Sequence, residues 1–247
     1  MAIFKKIGKR LSKAYFKEPK MTHEEWATKK VYFPSQDISP ILGYFKIKFS
    51  PQYKLLFKLM DRPDVHTLFA KWASQSGKSL FEMLIIGYRL DNEPANVLYM
   101  QPIKDDIPKV LRLKINPVLK CIKDLWQKFE DYIATEGIRS KDAIKQLAGG
   151  SLVVSGSSVK ERKSLTVPLL VMDEIGEFDK GAVKEASERL KAFSKFFPKK
   201  IGVSTIVHPK DEICTNFENC EAIMEWRYKC PNCKDNFYPS RETFKFM

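Results

Sequence analysis

One segment constrains the fold more than any other, an apolar run over residues 165–172 that ends in the acidic pair Asp173 and Glu174. A strand with so few polar positions must be covered on both faces, which is the situation of a central strand in a parallel sheet. Strand-like and helix-like segments alternate around this run, as the βαβ units of a parallel sheet require. The sequence therefore predicts an α/β fold with a mostly parallel central sheet.

The other strands and helices are predicted from the spacing of apolar residues. Further strands are expected at residues 65–72, 96–100, 151–155 and 200–207. Helices are expected at residues 52–60, 77–90 and 180–196, and over most of residues 105–135, with Pro108 near a start and Pro117 at a break. Prolines predict an extended connection over residues 21–50 rather than one long element.

The charge, the apolar content and the cysteine count of the sequence limit the classes of protein to which it could belong. Lys and Arg number 43 against 30 Asp and Glu, a net charge of +13, and such an excess attracts a polyanion, most often nucleic acid. No stretch approaches about 18 consecutive apolar residues, so we expect no integral membrane association. The cysteine count of five is odd and the cysteines are scattered, which argues against a disulfide framework and favours a reducing cytoplasm.

Residues 1–20 are strongly basic, with Glu18 as their single acid and apolar residues at helical spacing. This pattern predicts a short amphipathic helix that Pro19 ends, and it lacks the apolar core of a secretory signal. Such a helix could contact DNA, a partner subunit or an anionic membrane surface, or it could dock one face on its own domain. The sequence leaves these alternatives open.

The sharpest chemical signal is the segment 73–79, which lies between a predicted strand and a predicted helix. Main-chain N–H groups of such a loop bind phosphate, and the dipole of the following helix adds to the attraction. Lys78 would reach the β- and γ-phosphates of a nucleotide, and Ser79 would give Mg²⁺ a hydroxyl ligand. Trp72 stands where the consensus loop has its first glycine, and the alternative is an ordinary helix N-terminus with an exposed lysine. The candidate nucleotide-binding residues of this segment are Ser74, Gln75, Ser76, Gly77, Lys78 and Ser79.

The acidic pair after the apolar run supplies the second half of a nucleotide site. In phosphate-loop NTPases the first acid, here Asp173, holds the shell of Mg²⁺ through water, and the second, Glu174, polarises the attacking water. Both acids lie at the carboxyl end of a strand, where α/β sheets bind ligands. Alone the pair could be a strand cap before a helix. Together with Lys78 it predicts hydrolysis of ATP with Mg²⁺.

Cys230 and Cys233 have the spacing of a zinc knuckle. Zinc takes four ligands and this pair gives two, so Cys214, Cys220 or His208 would have to complete a site within the chain. The alternative is a pair of free thiols or half of a zinc ribbon. The pair is therefore a candidate for a partial Zn²⁺ site.

These motifs, in this order, resemble the ATPase domain of the large terminase subunit of tailed bacteriophages, in its lambda-like branch. The resemblance covers roughly residues 40–240. The matching segments are residues 50–53 (adenine motif), 71–79 (a phosphate loop without its first glycine), 99–102, 155–164, 203–205 (the motif that couples hydrolysis to movement) and 230–233. Ile206 departs from the coupling motif, which usually has proline there, and the nuclease domain that the family carries after the ATPase domain has no counterpart in these residues.

The resemblance implies a three-layer sandwich of the phosphate-loop NTPase type and a motor that hydrolyses ATP to move double-stranded DNA into a procapsid. It implies as partners a portal, a small terminase subunit and further copies of the chain in a ring, in the host cytoplasm. It gives nucleotide contacts to Gln52 and Tyr53, and coupling to Ser204 and Thr205. Lys71 would contact phosphate, unless it is an ordinary lysine at a strand edge.

Rings of this kind place an arginine of one subunit in the site of the next, which stabilises charge in the transition state. Arg162 is the candidate for this role, and its competitors are Arg139, Lys160 and Lys163.

Three regions are expected along the chain: a basic helix and connecting arm at 1–40, an ATPase core at 41–212 and a cysteine-containing appendage at 213–247. Two other functions are compatible with the sequence. One is a helicase-like nucleic-acid-dependent ATPase, and the other is a non-catalytic DNA-binding or assembly module with a vestigial nucleotide site.

Overall fold

The structure is a computed structural model that describes residues 21–102, 107–136, 143–157 and 165–237. Several predictions lie outside these ranges, namely the basic helix at residues 1–20 and the candidates Arg139, Lys160, Arg162 and Lys163. Within the described ranges, no helix combines the length and the apolar character that crossing a membrane requires.

A six-stranded sheet forms the centre of the protein. From one edge to the other, with strands numbered in chain order, it consists of β3 (Thr67–Lys71), β8 (Lys199–Ser204), β7 (Leu169–Asp173), β4 (Val97–Gln101), β6 (Gly150–Gly156) and β5 (Ile144–Leu147). Neighbouring strands are parallel, except that β5 pairs antiparallel with β6 at the edge. The prediction of a mostly parallel sheet is confirmed.

Strand β7 is the central element that the apolar run predicts, and all five of its residues are buried. The strand begins at Leu169 rather than at residue 165. Pro168 has no N–H to give to a strand ladder, and its carbonyl accepts a hydrogen bond from the N–H of Lys199 at 2.9 Å. Because β4 is also buried at all five positions, these two strands form the covered middle of the sheet.

Helices cover both faces of the sheet. The helices before β5 are α1 (His23–Lys30), α2 (Gln52–Asp61), α3 (Lys78–Asn92), α4 (Ile107–Val110), α5 (Asn116–Lys120) and α6 (Lys123–Glu136). They pack on one face, while α7 (Ala182–Ser187) and α8 (Glu212–Glu218) pack on the other.

The two faces of the sheet belong to two hydrophobic cores, since successive side chains of a strand point to opposite sides. Val97 and Tyr99 of β4 lie in the larger core, and Leu98 and Met100 lie in the smaller one. The predicted three-layer α/β sandwich is therefore confirmed.

The segment 105–135 differs from the helical prediction in its middle. A π-helical turn, Leu111–Ile115, joins α4 to α5, and residues 121–122 separate α5 from α6. Pro117 lies in the first turn of α5, where its missing N–H costs no helical hydrogen bond, so the break does not fall there.

Two further elements end earlier than predicted. The helix expected over residues 180–196 is α7 followed by a 3₁₀ segment, Glu188–Phe196. The strand expected over residues 200–207 ends at Ser204.

The extended connection predicted at residues 21–50 contains a helix, α1, that the sequence reading missed. Thr22 and Glu25 form a capping box at its start, because each side chain accepts the main-chain N–H of the other, at 3.3 and 3.0 Å. Trp26 is fully buried against Gly87 of α3, where an added Cβ would lie 2.9 Å from the indole ring. Tertiary packing of this one large side chain therefore fixes the helix. A short antiparallel pair follows, β1 (Tyr32–Phe33) and β2 (Gly43–Tyr44).

The first part of the chain after β8 still packs in the smaller core, and the part after it forms a separate pair of strands. Helix α8 buries Ile213 and Cys214 in the smaller core, although the predicted boundary of the appendage falls between residues 212 and 213. A second short antiparallel pair follows, β9 (Tyr228–Lys229) and β10 (Asn236–Phe237). The division of the chain into regions stays a prediction, and the packing of α8 favours a later start for the appendage.

Candidate nucleotide-binding site

Three adjacent strands bring the candidate residues to one edge of the sheet. Strands β3, β8 and β7 are neighbours and parallel, so their carboxyl ends meet. The loop 72–77 follows β3, Glu174 follows Asp173 at the end of β7, and Thr205 follows Ser204 at the end of β8. The topology therefore assembles segments that are far apart in the sequence.

The loop after β3 leads directly into α3, a helix of 15 residues. Gly77 precedes the helix with a φ of +93°, a left-handed conformation that favours glycine. An added Cβ there would lie 2.4 Å from the hydroxyl oxygen of Tyr53, so glycine is required for space as well. The first N–H groups of α3 thus point toward the loop, in the geometry that binds phosphate.

Side chains behind the loop hold its carbonyl groups. The carbonyl of Ser76 accepts from Nε1 of Trp72 at 3.2 Å and from Nε2 of Gln52 at 3.3 Å. Tyr53 donates its hydroxyl hydrogen bond to the carbonyl of Gly77. Trp72, which stands in place of the consensus glycine, is therefore a support for the loop.

The prediction that Tyr53 contacts adenine is not supported by its position. Tyr53 is fully buried and its ring packs near Phe57, Trp72 and Phe81, with centroid distances of 5.5 to 5.9 Å. Burial raises the pKa of its hydroxyl, so the group is a neutral donor. Tyr53 has no exposed surface with which to contact a nucleotide, and its observed contact is with the loop. Gln52 is half-buried and also holds the loop from behind.

Lys78 connects the loop to the acidic pair. Its ammonium group donates to Oε1 of Glu174 and lies 3.5 Å from Oδ1 of Asp173. The side chain of Lys78 is buried, so these contacts are shielded from solvent. The structure thus brings together the two halves of the site that the sequence predicts.

Glu174 stands at the centre of the site in a strained conformation. Its φ is +51°, a left-handed value that is costly for a residue other than glycine and that recurs at functional positions. Its Oε2 accepts from the hydroxyl of Ser204, and from the N–H and hydroxyl of Thr205, each at 3.3 Å. The side chains predicted for hydrolysis and for coupling are therefore in direct contact.

Asp173 has two further partners, which sequence reasoning missed. Its Oδ2 accepts from the hydroxyl of Tyr99 at 2.9 Å and from the ammonium group of Lys114, which lies on the π-helical turn. Burial alone would raise the pKa of Asp173, but Lys114, Lys78 and Tyr99 outweigh burial and hold that pKa below its ordinary value. The Asp173 carboxylate is therefore held ionised, as a role near a cation requires.

Lys114 is a partly buried cation whose charge is retained for the same reason. Burial would lower its pKa, but the charge of Asp173 and the hydrogen bond to that carboxylate raise it above the ordinary value. No sequence motif marks Lys114, since it lies in a segment whose pattern indicates only a helix. The π turn, which is rare and recurs at functional sites, is not visible in the sequence.

Glu82 is a buried acid beside the site that the sequence reading also missed. It lies on α3 and is fully buried. Burial, together with the neighbouring charge of Asp173, raises its pKa well above the ordinary value. Of these two neighbouring acids, Asp173 is therefore held ionised and Glu82 is favoured in its neutral form.

The residues of the site fit a Mg²⁺ ion. Oδ1 of Asp173 is buried and, within the described residues, has an ion pair with Lys78 but no hydrogen-bond partner, so it can accept from a water of the ion's shell. Ser79 is half-buried in the first turn of α3, next to Lys78. Mg²⁺ keeps several waters and takes few protein ligands, so an aspartate and a hydroxyl suffice beside a nucleotide phosphate.

Other candidates are placed differently. The ammonium group of Lys71 lies 4.6 Å from the centre of the Phe217 ring and 3.9 Å from Oε1 of Glu218, so it is directed toward α8. This geometry favours the alternative of a strand-edge lysine over a phosphate contact. Ser74 and Gln75 are exposed in the loop, where Gln75 has a φ of +56°.

The cysteine pair lies in the turn between β9 and β10. The N–H groups of Cys233 and Asn232 hydrogen-bond to Cys230 and lower the pKa of its thiol. Cys214 is instead buried on α8. In the described ranges no three His, Cys, Asp or Glu side chains come close enough to hold a metal, so the pair stays a predicted partial site.

A loop that leads into a helix N-terminus, a buried lysine and an acidic pair at the end of a central strand together define the site of a phosphate-loop ATPase. The family described as Phage terminase large subunit gpA, ATPase domain, matches residues 39–247, so the chain belongs to this family. The resemblance and the fold inferred from the sequence are confirmed, and ATP hydrolysis is the activity that this family implies. No protein with a curated description matches the chain.

Solved large terminases are similar to this structure at low sequence identity. The large terminase of bacteriophage HK97 matches with a TM-score of 0.60 and 13% identity over 80% of this chain. The ATPase domain of the Thermus phage P74-26 large terminase gives 0.42 and 15%, covering 57% of this chain and 59% of its own. The large terminase of a thermophilic bacteriophage gives 0.44 and 13%, covering 70% of this chain and 41% of its own. This chain spans 40% of the HK97 protein, and the similarity shows the fold.

Proposed function

We propose that this chain is the motor domain of a terminase that hydrolyses ATP to move double-stranded phage DNA into a procapsid. Membership of the terminase ATPase family supports the proposal. The observation that carries it is the contact of Glu174 with Lys78 on one side and with Ser204 and Thr205 on the other. This contact joins the lysine that is expected to bind phosphate to the motif at the end of strand β8.

The chemistry follows from the partners of each side chain. ATP would place its phosphates on the N–H groups of the loop and of α3, and Mg²⁺, held by Asp173 and Ser79, would neutralise phosphate charge. Lys78 would exchange its contact with Glu174 for a phosphate oxygen. Oε1 of Glu174 would then be free to accept a proton from the attacking water.

The same exchange suggests how hydrolysis is coupled to movement. Once Lys78 leaves Glu174, the carboxylate keeps its hydrogen bonds to Ser204 and Thr205. The hydroxyl of Ser204 also accepts the N–H of Gly176 at 3.0 Å, so a shift of Glu174 would act on the segments after both β7 and β8. In the proposal this displacement is the first step of coupling.

The partners and the setting belong to the proposal as well. The net charge of +13 favours DNA as the polyanion. A portal, a small terminase subunit and a ring of identical chains in the host cytoplasm would complete the motor, and Arg162 would reach the site of the next subunit. Purified ring preparations that lose hydrolysis on Arg162→Ala, but not on Lys160→Ala, would support that choice.

Calorimetric titration with Mg²⁺ and a non-hydrolysable ATP analogue tests the site before any ring forms. We expect Lys78→Ala to weaken binding more than tenfold, and we expect Lys54→Ala, an exposed lysine of α2, to leave it unchanged. Glu174→Gln should keep binding and lower hydrolysis by at least about 100-fold, the range for loss of a general base. Unchanged binding in Lys78→Ala would refute the nucleotide site. Unchanged hydrolysis in Glu174→Gln would favour the vestigial module.

A further inference from the structure

A basic cleft lies on the helical face of the larger core, apart from the nucleotide site. It has a volume of about 640 Å³ and runs between the end of α1, the β1–β2 pair and the turn from α5 to α6. We call it the lysine cleft. The residues that give it its character are Lys29, Lys30, Tyr32, Tyr44, Lys120 and Lys123.

Positive charge dominates the lysine cleft. Among the described residues that line it, four are lysines and one is an acid, Asp124. Lys30 donates to Asp124 at 2.5 Å. That hydrogen bond, with the further charges of Lys128 and Lys123, lowers the pKa of Asp124. The single carboxylate of Asp124 neutralises only part of the charge of the lysines around it, so the cleft has an excess of positive charge.

A further lysine, Lys145, lies near Lys120 of the cleft, because the ammonium groups of both contact the ring of Trp126. The ammonium groups of Lys120 and Lys145 lie 5.1 and 4.7 Å from the centre of the Trp126 ring. Burial and the neighbouring charge of Lys120 both lower the pKa of Lys145. Like charges held this closely are stabilised by an anionic ligand.

Two tyrosines form one wall of the cleft. Tyr32 and Tyr44 pair across the β1–β2 ladder with ring centroids 5.2 Å apart and an interplanar angle of 76°. Both are about half exposed, at 49% and 55%. Tyrosine hydroxyl groups are recurrent donors to the phosphates of nucleic acid.

We infer that the lysine cleft binds the phosphate backbone of DNA. Ammonium groups and tyrosine hydroxyls are the groups that contact phosphate oxygens without reading sequence. A protein partner is less well matched, since the centre of a protein interface is depleted of charge and lysine is under-represented there. The inference rests on the proposed function, in which DNA is the substrate of the motor.

The cleft is connected to the nucleotide site by one helical path. Lys114 contacts Asp173 from the π turn, and Lys120 lines the cleft at the end of α5. Lys120 is six positions after Lys114, which corresponds to roughly 9 Å at the rise of an α-helix. DNA in the cleft would thus bind one end of a helical segment whose other end contacts the Asp173 carboxylate.

Fluorescence anisotropy with a labelled 30-base-pair duplex tests the inference at several salt concentrations. The test variant is Lys29→Gln with Lys123→Gln, two exposed lysines of the cleft. The matched control is Lys180→Gln with Lys184→Gln, two exposed lysines at α7 on the opposite face of the sheet. Both variants lose the same charge, so only the location differs. Binding of a fluorescent ADP analogue verifies that each variant is folded.

We expect the cleft variant to bind the duplex at least tenfold more weakly at about 0.1 M salt. The slope of log K against log salt should fall by about 1.8, because each lost phosphate contact removes about 0.9. The control should change affinity less than threefold, and Lys29→Arg with Lys123→Arg should restore wild-type binding. Equal losses in the two glutamine variants would overturn the inference, because overall charge would then explain binding. No loss in either variant would also overturn it and would favour an acidic protein as the ligand of the cleft. Wild-type protein that binds no duplex would overturn the proposed function itself.

Discussion

Lys114 donates a hydrogen bond to Oδ2 of Asp173 from a π-helical turn that lies on a different part of the chain. The contact places a permanent positive charge beside the carboxylate that is expected to hold the Mg²⁺ shell. Tyr99 donates to the same oxygen, whereas Oδ1 has no hydrogen-bond partner among the described residues and lies 3.5 Å from the Lys78 ammonium group. Lys114 is therefore a positioning residue for Asp173.

Loss of Lys114 should weaken binding of a nucleotide together with Mg²⁺. We expect Lys114→Met to lower that affinity about tenfold, because an ionised buried aspartate without its partner is costly. The acid limb of the pH dependence of binding should also move to higher pH, since Lys114 lowers the pKa of Asp173. Calorimetry from pH 4 to pH 8 with Mg²⁺ and an ATP analogue measures both effects.

Two controls separate this role from a general structural one. Lys114→Arg keeps the charge and should keep the wild-type pH profile, and Lys109→Met removes an exposed charge of α4 and should change nothing. A Lys114→Met protein that binds more weakly but with the wild-type pH profile would contradict the positioning role.

Tyr53 should stabilise the fold rather than bind the base. Tyr53→Phe removes the hydrogen bond to the Gly77 carbonyl, so we expect the free energy of unfolding to fall by about 1 kcal/mol. Urea denaturation measures this loss, and Tyr228→Phe, an exposed tyrosine of β9, is the matched control. If the Tyr53 hydroxyl instead contacted adenine, stability would be unchanged and nucleotide affinity alone would fall.

Gly77 should tolerate alanine poorly for two separable reasons. Its φ of +93° costs a residue with a Cβ roughly 1–2 kcal/mol, and the Cβ would lie 2.4 Å from the Tyr53 oxygen. Gly181 has a φ of +83° with nothing within 4 Å of an added Cβ, so Gly181→Ala measures the conformational cost alone. We expect Gly77→Ala to lower the unfolding free energy by about 1–3 kcal/mol more than Gly181→Ala does.

A double mutant isolates the steric part of that cost. Tyr53→Phe removes the atom that the new Cβ would meet, so Gly77→Ala should be less destabilising in the Tyr53→Phe background than alone. Strictly additive losses of unfolding free energy would show that the loop is not packed against this hydroxyl.

Asp211, which caps the start of α8, should make the stability of the fold depend on pH. Burial would raise its pKa, but hydrogen bonds from the N–H groups of Cys214, His208 and Val207 lower it below the ordinary value of 3.8. Its stabilising effect is therefore complete above that value and is lost as the pH falls through the lowered pKa. We expect Asp211→Ala to lower the unfolding free energy by about 1 kcal/mol at pH 7.

Comparison with Asp211→Asn separates the charge from the helix cap. The amide keeps one acceptor oxygen but cannot ionise, so the stability difference from wild type should shrink as the pH is lowered toward 3. Urea unfolding at a series of pH values gives this difference. A difference that stays constant with pH would show that the carboxylate is not preferentially bound when ionised.

Much of the site is predictable because its residues carry local signals. Lys78 is marked by the loop between a strand and a helix, and Asp173 and Glu174 by the apolar strand before them. Helix α1 also carries a local signal, since Thr22 and Glu25 have the spacing of a capping box. The prolines that follow it obscure this signal, because they favour an extended chain over the whole segment.

Other parts of the site carry no local signal. The resemblance assigns Tyr53 to the nucleotide because it precedes the phosphate loop in the sequence, whereas the structure buries it behind the loop. Lys71 is assigned to phosphate for its place at the loop entrance, but Phe217 and Glu218 of α8 lie close to it. In both cases the partner comes from a distant segment, so the sequence neighbourhood is a poor guide.

The sequence by itself determined the parallel sheet, the phosphate loop and the acidic pair at the end of β7. These features depend on the periodicity of apolar residues and on short motifs. Both are local signals, because they involve residues that are close together in the sequence. The tertiary structure alone decided which side chains support the loop, that Lys114 holds Asp173, and that lysines from three segments share one cleft. Such contacts join residues tens of positions apart, and only the packing of the helices on the sheet brings their charges within reach of one another.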